Sequence, residues 1–340
     1  MTRWMRGIMV GVIGCVATLS LLLGTVFAQS PAPGLTTPWG DPDLQGVWDY
    51  WTFTPLERPD EFAGRDVLTE EEAATVAQQS NADALARDEP PPPGEVGGYS
   101  QAVWTDRARA TALTQPSLLV NPPDGKLPPL TPEAVARAEA YRSAGGYPVR
   151  VRVGGLNEDG PEARGVAERC LLGFSTGPPM LPGGYNNNVQ LFQTPGYVAI
   201  LHEMVHDVRV IPLDERDPLP DSVRQWMGSS RGRWDGDTLV VETTNFTDRT
   251  GSFNTSFEAW GAADNLRLVE RFTRVDTETV LYEFTVHDPT TWTTPFTGRF
   301  PMSRGTAPLY EYACHEGNHG MVNMLSGARA EERRAGTDQP

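Results

Sequence analysis

Lysine is almost absent from this chain: Lys126 is the one lysine in 340 residues. A Schiff-base mechanism would rest on that residue alone, inside a Pro-Gly loop. Histidine is scarce, with five, and cysteine scarcer, with three. There is no phosphate-cradling glycine loop and no dinucleotide fingerprint, so no organic cofactor is implied. After Phe27 no stretch is long and apolar enough to span a bilayer. Positive charge is in deficit, 28 basic against 44 acidic residues, for a net charge of −16. Such a surface repels phosphate backbones and anionic lipid heads, which argues against nucleic-acid binding; solubility is the plainest use of the charge.

What is present begins with a targeting signal. Arg3 and Arg6 form a basic start, Gly7 to Phe27 is an uncharged apolar run, and Val26-Phe27-Ala28 ends it with a small residue before Gln29. This is the layout of a secretory signal peptide cleaved after Ala28, which predicts a periplasmic or secreted protein. Val12-Ile13-Gly14-Cys15 offers a lipoprotein-type alternative, but cutting there would leave an apolar Val16–Phe27 run on the mature end. An uncleaved anchor is the other alternative. Without Arg3 and Arg6 the net charge becomes about −18. Loss of Cys15 leaves Cys170 and Cys314, which an oxidising compartment favours as a disulfide. In the chain-entropy view so long a loop is worth roughly 4–5 kcal/mol at most.

Residues 29–45, rich in Pro, Gly and Thr, read as an irregular arm, and 46–335 as a single β-rich domain with helical insertions. Gly46–Phe53 is aromatic and β-branched and predicts a strand. Thr69 and Glu72 form a capping box that opens a helix, which Pro90–Pro93 stops. Thr131-Pro132-Glu133 opens a second, ending near Gly145-Gly146. From Val189 the pattern is β. Val189–Gln193 and Tyr197–Ile211 flank Pro195-Gly196; Arg231–Trp234 and Thr238–Thr243 flank Asp235-Gly236; Leu266–Val275 and Thr279–His287 flank Asp276-Thr277. In the last of these Val280, Tyr282, Phe284 and Val286 alternate with Leu281, Glu283, Thr285 and His287, as in a half-buried antiparallel strand with His287 on the solvated side. A strand near Tyr310–Cys314 and a helix over Asn318–Arg333 complete the expectation. The fold class is mainly β: an antiparallel meander closing into a barrel or strongly curved sheet, calycin-like, with added N-terminal and C-terminal helices.

Two stretches match the zinc-protease pattern H-E-x-x-H: His202-Glu203-Met204-Val205-His206 and His315-Glu316-Gly317-Asn318-His319. Shared zinc ligation needs both histidines on one helical face, about 6 Å apart. On a strand the same spacing separates them by about 13 Å. The β-branched density around the first match favours a strand, on which His202 and His206 share one face while Glu203, Asp207 and Arg209 share the other. Gly317 and Gly320 make the second a poor helix interior. Gly173-Phe174-Ser175-Thr176-Gly177 fits the nucleophile-elbow pattern, but Pro178-Pro179 follow where the helix should begin, so a turn fits better.

Several phrases resemble a known family: Glu168-Arg169-Cys170-Leu171, Gly177-Pro178-Pro179-Met180-Leu181-Pro182-Gly183, Tyr185-Asn186-Asn187-Asn188, the run from Gly232 to Thr243, and Tyr312-Ala313-Cys314-His315-Glu316. They are similar to a large group of secreted proteins, numerous in Acidobacteria and some Proteobacteria and mostly hypothetical. The resemblance spans Leu44 to Glu332 and brings no established activity. Distant members carry a Tyr-Glu-Tyr-like strand in place of His202-Glu203-Met204 and Asn in place of His315. The resemblance therefore implies that a zinc site is not general to the group.

These readings leave three functions. The first is a cofactor-independent lyase, isomerase or hydrolase acting on a small, partly apolar molecule. Its base is His206 or His315, oriented by Glu203, Asp207 or Glu316, and Arg209 holds an anionic or carbonyl group. The bland counterpart is a polar ladder closing the sheet, with Arg209 paired to Asp207 or Glu203. The second is a non-catalytic ligand-binding barrel with Trp48, Trp51, Phe192, Tyr197 and Phe284 facing inward, or simply filling the core. The third is a zinc metallohydrolase. No metal is assigned as a component, and oligomeric state stays open.

Overall fold

The computed structural model describes residues 35–87, 112–143, 161, 166–173, 176–251, 253, 263–305 and 308–337. The expected signal segment, Pro90–Pro93, Gly145-Gly146, Phe174 and Ser175 lie outside the described residues. Ten strands form one sheet: β1 Gly46–Asp49, β2 Leu119–Asn121, β3 Asn188–Thr194, β4 Tyr197–His202, β5 Val208–Pro212, β6 Ser229–Asp235, β7 Thr238–Thr244, β8 Arg267–Arg274, β9 Thr279–His287 and β10 Phe296–Arg304. Three helices accompany them: α1 Glu70–Arg87, α2 Pro132–Ser143 and α3 His319–Thr337.

Neighbours follow the order β5-β4-β3-β1-β10-β9-β8-β7-β6, with β2 paired to β10, and every one of these pairings is antiparallel. Two meanders, one running back from β5 and one from β10, thus share β1 as their join. The sheet curls until β5 and β6 come together, and the barrel is nearly closed. No ladder joins these two edges; side chains meet instead. A Cβ on Gly232 of β6 would stand 2.6 Å from Leu213 Cδ2 and 3.0 Å from Ile211 Cγ2.

Strict alternation drives the curl. Val280, Tyr282, Phe284 and Val286 are buried while the residues between them are partly exposed, and β8 and β10 repeat the pattern. Inside, Phe253 stacks edge-on to Phe296 at 5.0 Å and Tyr282 to Phe300 at 5.3 Å. Met180, from the irregular segment that precedes β3, is fully buried in the same cluster. At roughly 25 cal/mol per Å² of apolar surface, this filling is the main driving force for folding.

Local signals hold where the chain decides alone. Thr69 N–H donates to Glu72 Oε2 at 2.8 Å and Glu72 N–H to Thr69 Oγ1 at 3.2 Å, the expected capping box. The Arg65 fork, both bonds at 2.6 Å, holds that exposed carboxyl at about 2. Gly236, at φ 60°, begins the two-residue loop between β6 and β7, and Asp276-Thr277 lies between β8 and β9 as expected.

Other expectations need correction. The first strand stops at Asp49 rather than Phe53. Tyr197–Ile211 is not one strand: β4 ends at His202, a 3₁₀ turn covers Met204–His206 with Val205 and His206 at φ 64° and 59°, and β5 runs back. Tyr310–Cys314 is irregular, and the C-terminal helix begins at His319, capped by Asn318 Oδ1 on Met321 N–H at 3.1 Å. β10 was missed because it contains Pro301. Arg299 N–H bonds Leu118, on the β2 side, so alternation turns the Pro301 nitrogen the same way. There β1 has ended at Asp49, and β2 reaches only to Gly298, so the missing N–H costs no ladder bond.

Candidate functional site

The loop 213–228 that links β5 to β6 passes over the open seam and makes a cleft of about 640 Å³. Its floor is Asp207 with Val208, Arg209, Val210 and Pro212 of β5, and Ser229, Ser230 and Arg231 of β6; Arg216, Arg224, Trp226 and Met227 form its walls. The loop is pinned. Asn245, at φ 58°, donates from Nδ2 to the carbonyls of Pro220 at 2.9 Å and Val223 at 3.1 Å. Gln225 N–H bonds Asn245 O at 2.9 Å and Thr247 N–H bonds Gln225 O at 3.1 Å. Arg216 donates to Asp214 at 2.5 Å and to the Tyr197 hydroxyl at 2.6 Å.

Beneath the seam lies the barrel's buried polar knot. Arg209 reaches from β5 to Glu270 on β8, with Nη1 donating at 3.1 Å and Nη2 at 2.5 Å. Nη2 also lies 3.1 Å from Ser230 Oγ and 3.2 Å from Thr243 Oγ1, which ties in β6 and β7. Tyr282 on β9 donates its hydroxyl to Glu270 at 2.9 Å and accepts from Met180 N–H at 3.1 Å. Burial, reinforced by the Glu270 carboxylate, pushes the Tyr282 phenol well above its ordinary 10. Arg209 stays charged because Glu270 offsets the burial that opposes it. The expectation that Arg209 pairs with Asp207 or Glu203 is therefore corrected: β5 turns its side chain inward, and the interior carboxylate is Glu270.

The residues singled out from sequence fall in three places. His202 is buried at the end of β4. Glu203 Oε2 accepts from Asn188 N–H at 3.2 Å and Nδ2 at 2.8 Å, so it clips β3 to the turn. His206 closes that turn with Nδ1 buried and without a hydrogen-bond partner, and Asp207 reaches the cleft, its Oδ1 taking Val208 N–H at 2.7 Å. The chain reversal at Val205 separates the faces that a single strand would have given His202 and His206. His315 and Glu316 are exposed on a turn just after Cys314.

Cys170 and Cys314 are bridged, with Cα atoms 5.7 Å apart. The bridge joins the His315 turn to the 166–172 segment, where Val166 and Leu172 pack with Met227, and Arg169 lies 5.7 Å from the Trp226 ring. Asn318 Nδ2 donates to Glu168 O at 2.7 Å beside it. The disulfide thus supports one wall of the cleft. Among the described residues no group of three or more His, Cys, Asp or Glu side chains comes together as a metal site. The described helices include none long and apolar enough to cross a membrane.

The aromatics expected to face inward divide. Trp48 and Phe284 are buried, Trp51 is half-buried, and Phe192 and Tyr197 are 45% and 42% exposed. In β3 the buried set is Val189, Leu191 and Gln193, so Phe192 falls on the outer face. Sequence reasoning also missed Glu270, Ser230 and Arg231; the alternation of Glu270 with Leu268 and Phe272 was the available signal. Comparison with protein-family models, with curated proteins and with solved structures finds no match for this chain.

Proposed function

We propose that this is an exported protein that holds a small, partly apolar molecule in the cleft between β5 and β6. The carrying observation is where the space lies. The barrel axis is filled by Met180, Phe272, Tyr282, Phe284 and Phe300, whereas the seam leaves about 640 Å³ beside Trp226 and Met227. That volume falls in the usual range of small-molecule sites. The pinned loop supports binding, since a wall already ordered loses little entropy on taking a ligand. The N-terminal targeting pattern and the disulfide support export.

Acid–base catalysis in the same cleft is the second reading. It is favoured by Asp207 in the lining and His206 next to it, with an unengaged ring nitrogen.

The deciding experiment is a thermal-shift and calorimetric screen of small aromatic and aliphatic compounds on protein purified without residues 1–28, followed by mass spectrometry for turnover. Binding that is weakened about tenfold by Trp226→Ala supports the cleft. Ligands that bind with unchanged affinity in Trp226→Ala, Leu219→Ala and Arg231→Gln variants place the site elsewhere and end this reading. Turnover lost in His206→Ala favours the catalytic version. Turnover kept there but lost in His315→Ala moves the chemistry to the turn beside the disulfide.

A further inference from the structure

We infer that the Cys170–Cys314 bridge is a thiol-exchange site: a reductant attacks at Cys314, Cys170 is the sulfur that leaves, and one wall of the cleft loosens as a result. The exchange site stands apart from the binding reading; only its bearing on ligand capture rests on that reading.

The two cysteines are placed differently. Cys170 is 3% exposed, whereas Cys314 is partly exposed on a turn whose other residues Ala313, His315, Glu316 and Gly317 are all exposed. Both cysteines line an open groove of about 390 Å³, together with Glu311, Tyr312 and Asn318. The groove gives a small thiol room to reach the bridge, and exposure favours Cys314 as the sulfur attacked.

The surroundings of Cys170 suit a leaving thiolate. Asn318 Nδ2 donates to Cys170 Sγ at 3.5 Å, and a hydrogen bond to the charged form favours it. Asn318 also caps α3, so the sulfur sits by the positive end of a 19-residue helix. Burial opposes charge on this sulfur, and these two features offset it. The backbone adds a push, since Cys170 is held at φ 56°, a conformation that few residues other than glycine adopt.

The exchange balances as two displacements. One thiolate of a dithiol reductant attacks Cys314 Sγ, the S–S bond breaks, and its electron pair leaves on Cys170 Sγ. The reductant's second thiolate then attacks the mixed disulfide and frees Cys314. The reductant departs as a disulfide, and the protein gains two electrons and two protons. The consequence is mechanical. The bridge and the Asn318 bond to Glu168 O at 2.7 Å tie the turn before α3 to residues 166–172. Val166 and Leu172 of that segment pack with Met227 of the cleft wall. Opening the bridge removes the covalent tether behind this packing.

The test uses folded protein without residues 1–28 and reduced glutathione as a monothiol probe. Products are trapped with N-ethylmaleimide and mapped by mass spectrometry. Glutathione should be found on Cys314 and the maleimide on Cys170, in about tenfold excess over the reverse. Asn318→Asp keeps the helix cap but replaces the Nδ2 donor by a negative oxygen. Reduction by dithiothreitol should then slow about tenfold, with circular dichroism unchanged. Hydrogen exchange in the reduced protein should quicken over residues 166–172 and 225–228 and stay unchanged in β8 and β9. Glutathione on Cys170, an unchanged rate in Asn318→Asp, or reduction only in denaturant overturns the exchange site. Exchange at Cys314 without faster hydrogen exchange at 225–228 overturns the link to the cleft wall. None of these readouts uses a ligand of the cleft, so their failure leaves the binding reading standing.

Discussion

Arg209 and Glu270, which are 61 residues apart in sequence, form an ion pair at 2.5 Å with side chains 3% and 0% exposed. The pair spans the barrel from its open edge to its middle, so the seam is held by charge where no backbone ladder closes it. Both side chains are buried, so removing either leaves the other charge with neutral hydroxyl partners only, Ser230 and Thr243 for Arg209 and Tyr282 for Glu270.

Glu270→Gln or Arg209→Met alone should each cost about 3–5 kcal/mol, because each strands a buried charge or its hydrogen-bond partners. The double replacement Arg209→Met with Glu270→Leu should recover most of that loss. Urea unfolding of the four proteins measures it as a double-mutant cycle. Additive losses would show that the two residues act separately.

Gly298 on β10 lies directly across from Phe284 on β9. A Cβ there would come within 2.3 Å of the Phe284 ring, which is fully buried and packed 5.9 Å from Tyr282. Gly298→Ala should destabilise by about 1–3 kcal/mol through overpacking. Gly232→Ala at the seam meets the methyl ends of the partly buried Leu213 at 2.6 Å and of Ile211 at 3.0 Å rather than a locked ring, so its cost should be smaller. Equal midpoints in thermal unfolding would refute the difference.

The Cys170–Cys314 bridge encloses a separation of 144 residues. Protein recovered from an oxidising compartment should gain the mass of two hydrogens on reduction and show no thiol beforehand. Replacing both cysteines by serine should cost up to roughly 4–5 kcal/mol. It should also shift Trp226 emission to the red, since Arg169 would no longer be tethered over that ring. Free thiols in protein recovered from that compartment would reject the bridge.

His287 is half-buried on the barrel's outer surface rather than solvated. Burial, then the Arg267 cation, hold its imidazole below the ordinary 6.5, with Glu242 opposing. Below pH 6.5 the unfolded chain binds a proton that the folded chain resists. Stability should therefore fall as pH drops from 6.5 toward the lowered native value, and this contribution should be absent at pH 8. An NMR titration reads the native value, and His287→Asn should flatten the acid limb of the stability curve. A native midpoint at or above 6.5 would contradict the burial argument.

Sequence alone determined what short range decides. The capping box at Thr69 and Glu72, the turns at Gly196 and Gly236, and the alternation through Val280–Val286 each depend on neighbours a few residues away. That alternation was enough to give an antiparallel barrel. The cysteine pair followed from scarcity, since two residues allow one pairing. Tertiary structure decided the rest. Pro301 hides β10 from any local reading, and only the gap between β1 and β2 makes it harmless. The reversal at Val205 depends on β5 finding β4, so the faces assigned to His202, His206 and Arg209 could not be read from spacing. Glu270 is an ordinary strand carboxylate in the sequence. It becomes the partner of Arg209 only when curling brings β5 across the barrel from β8. The cleft is likewise invisible along the chain, because its floor is two sheet edges that meet only when the barrel almost closes.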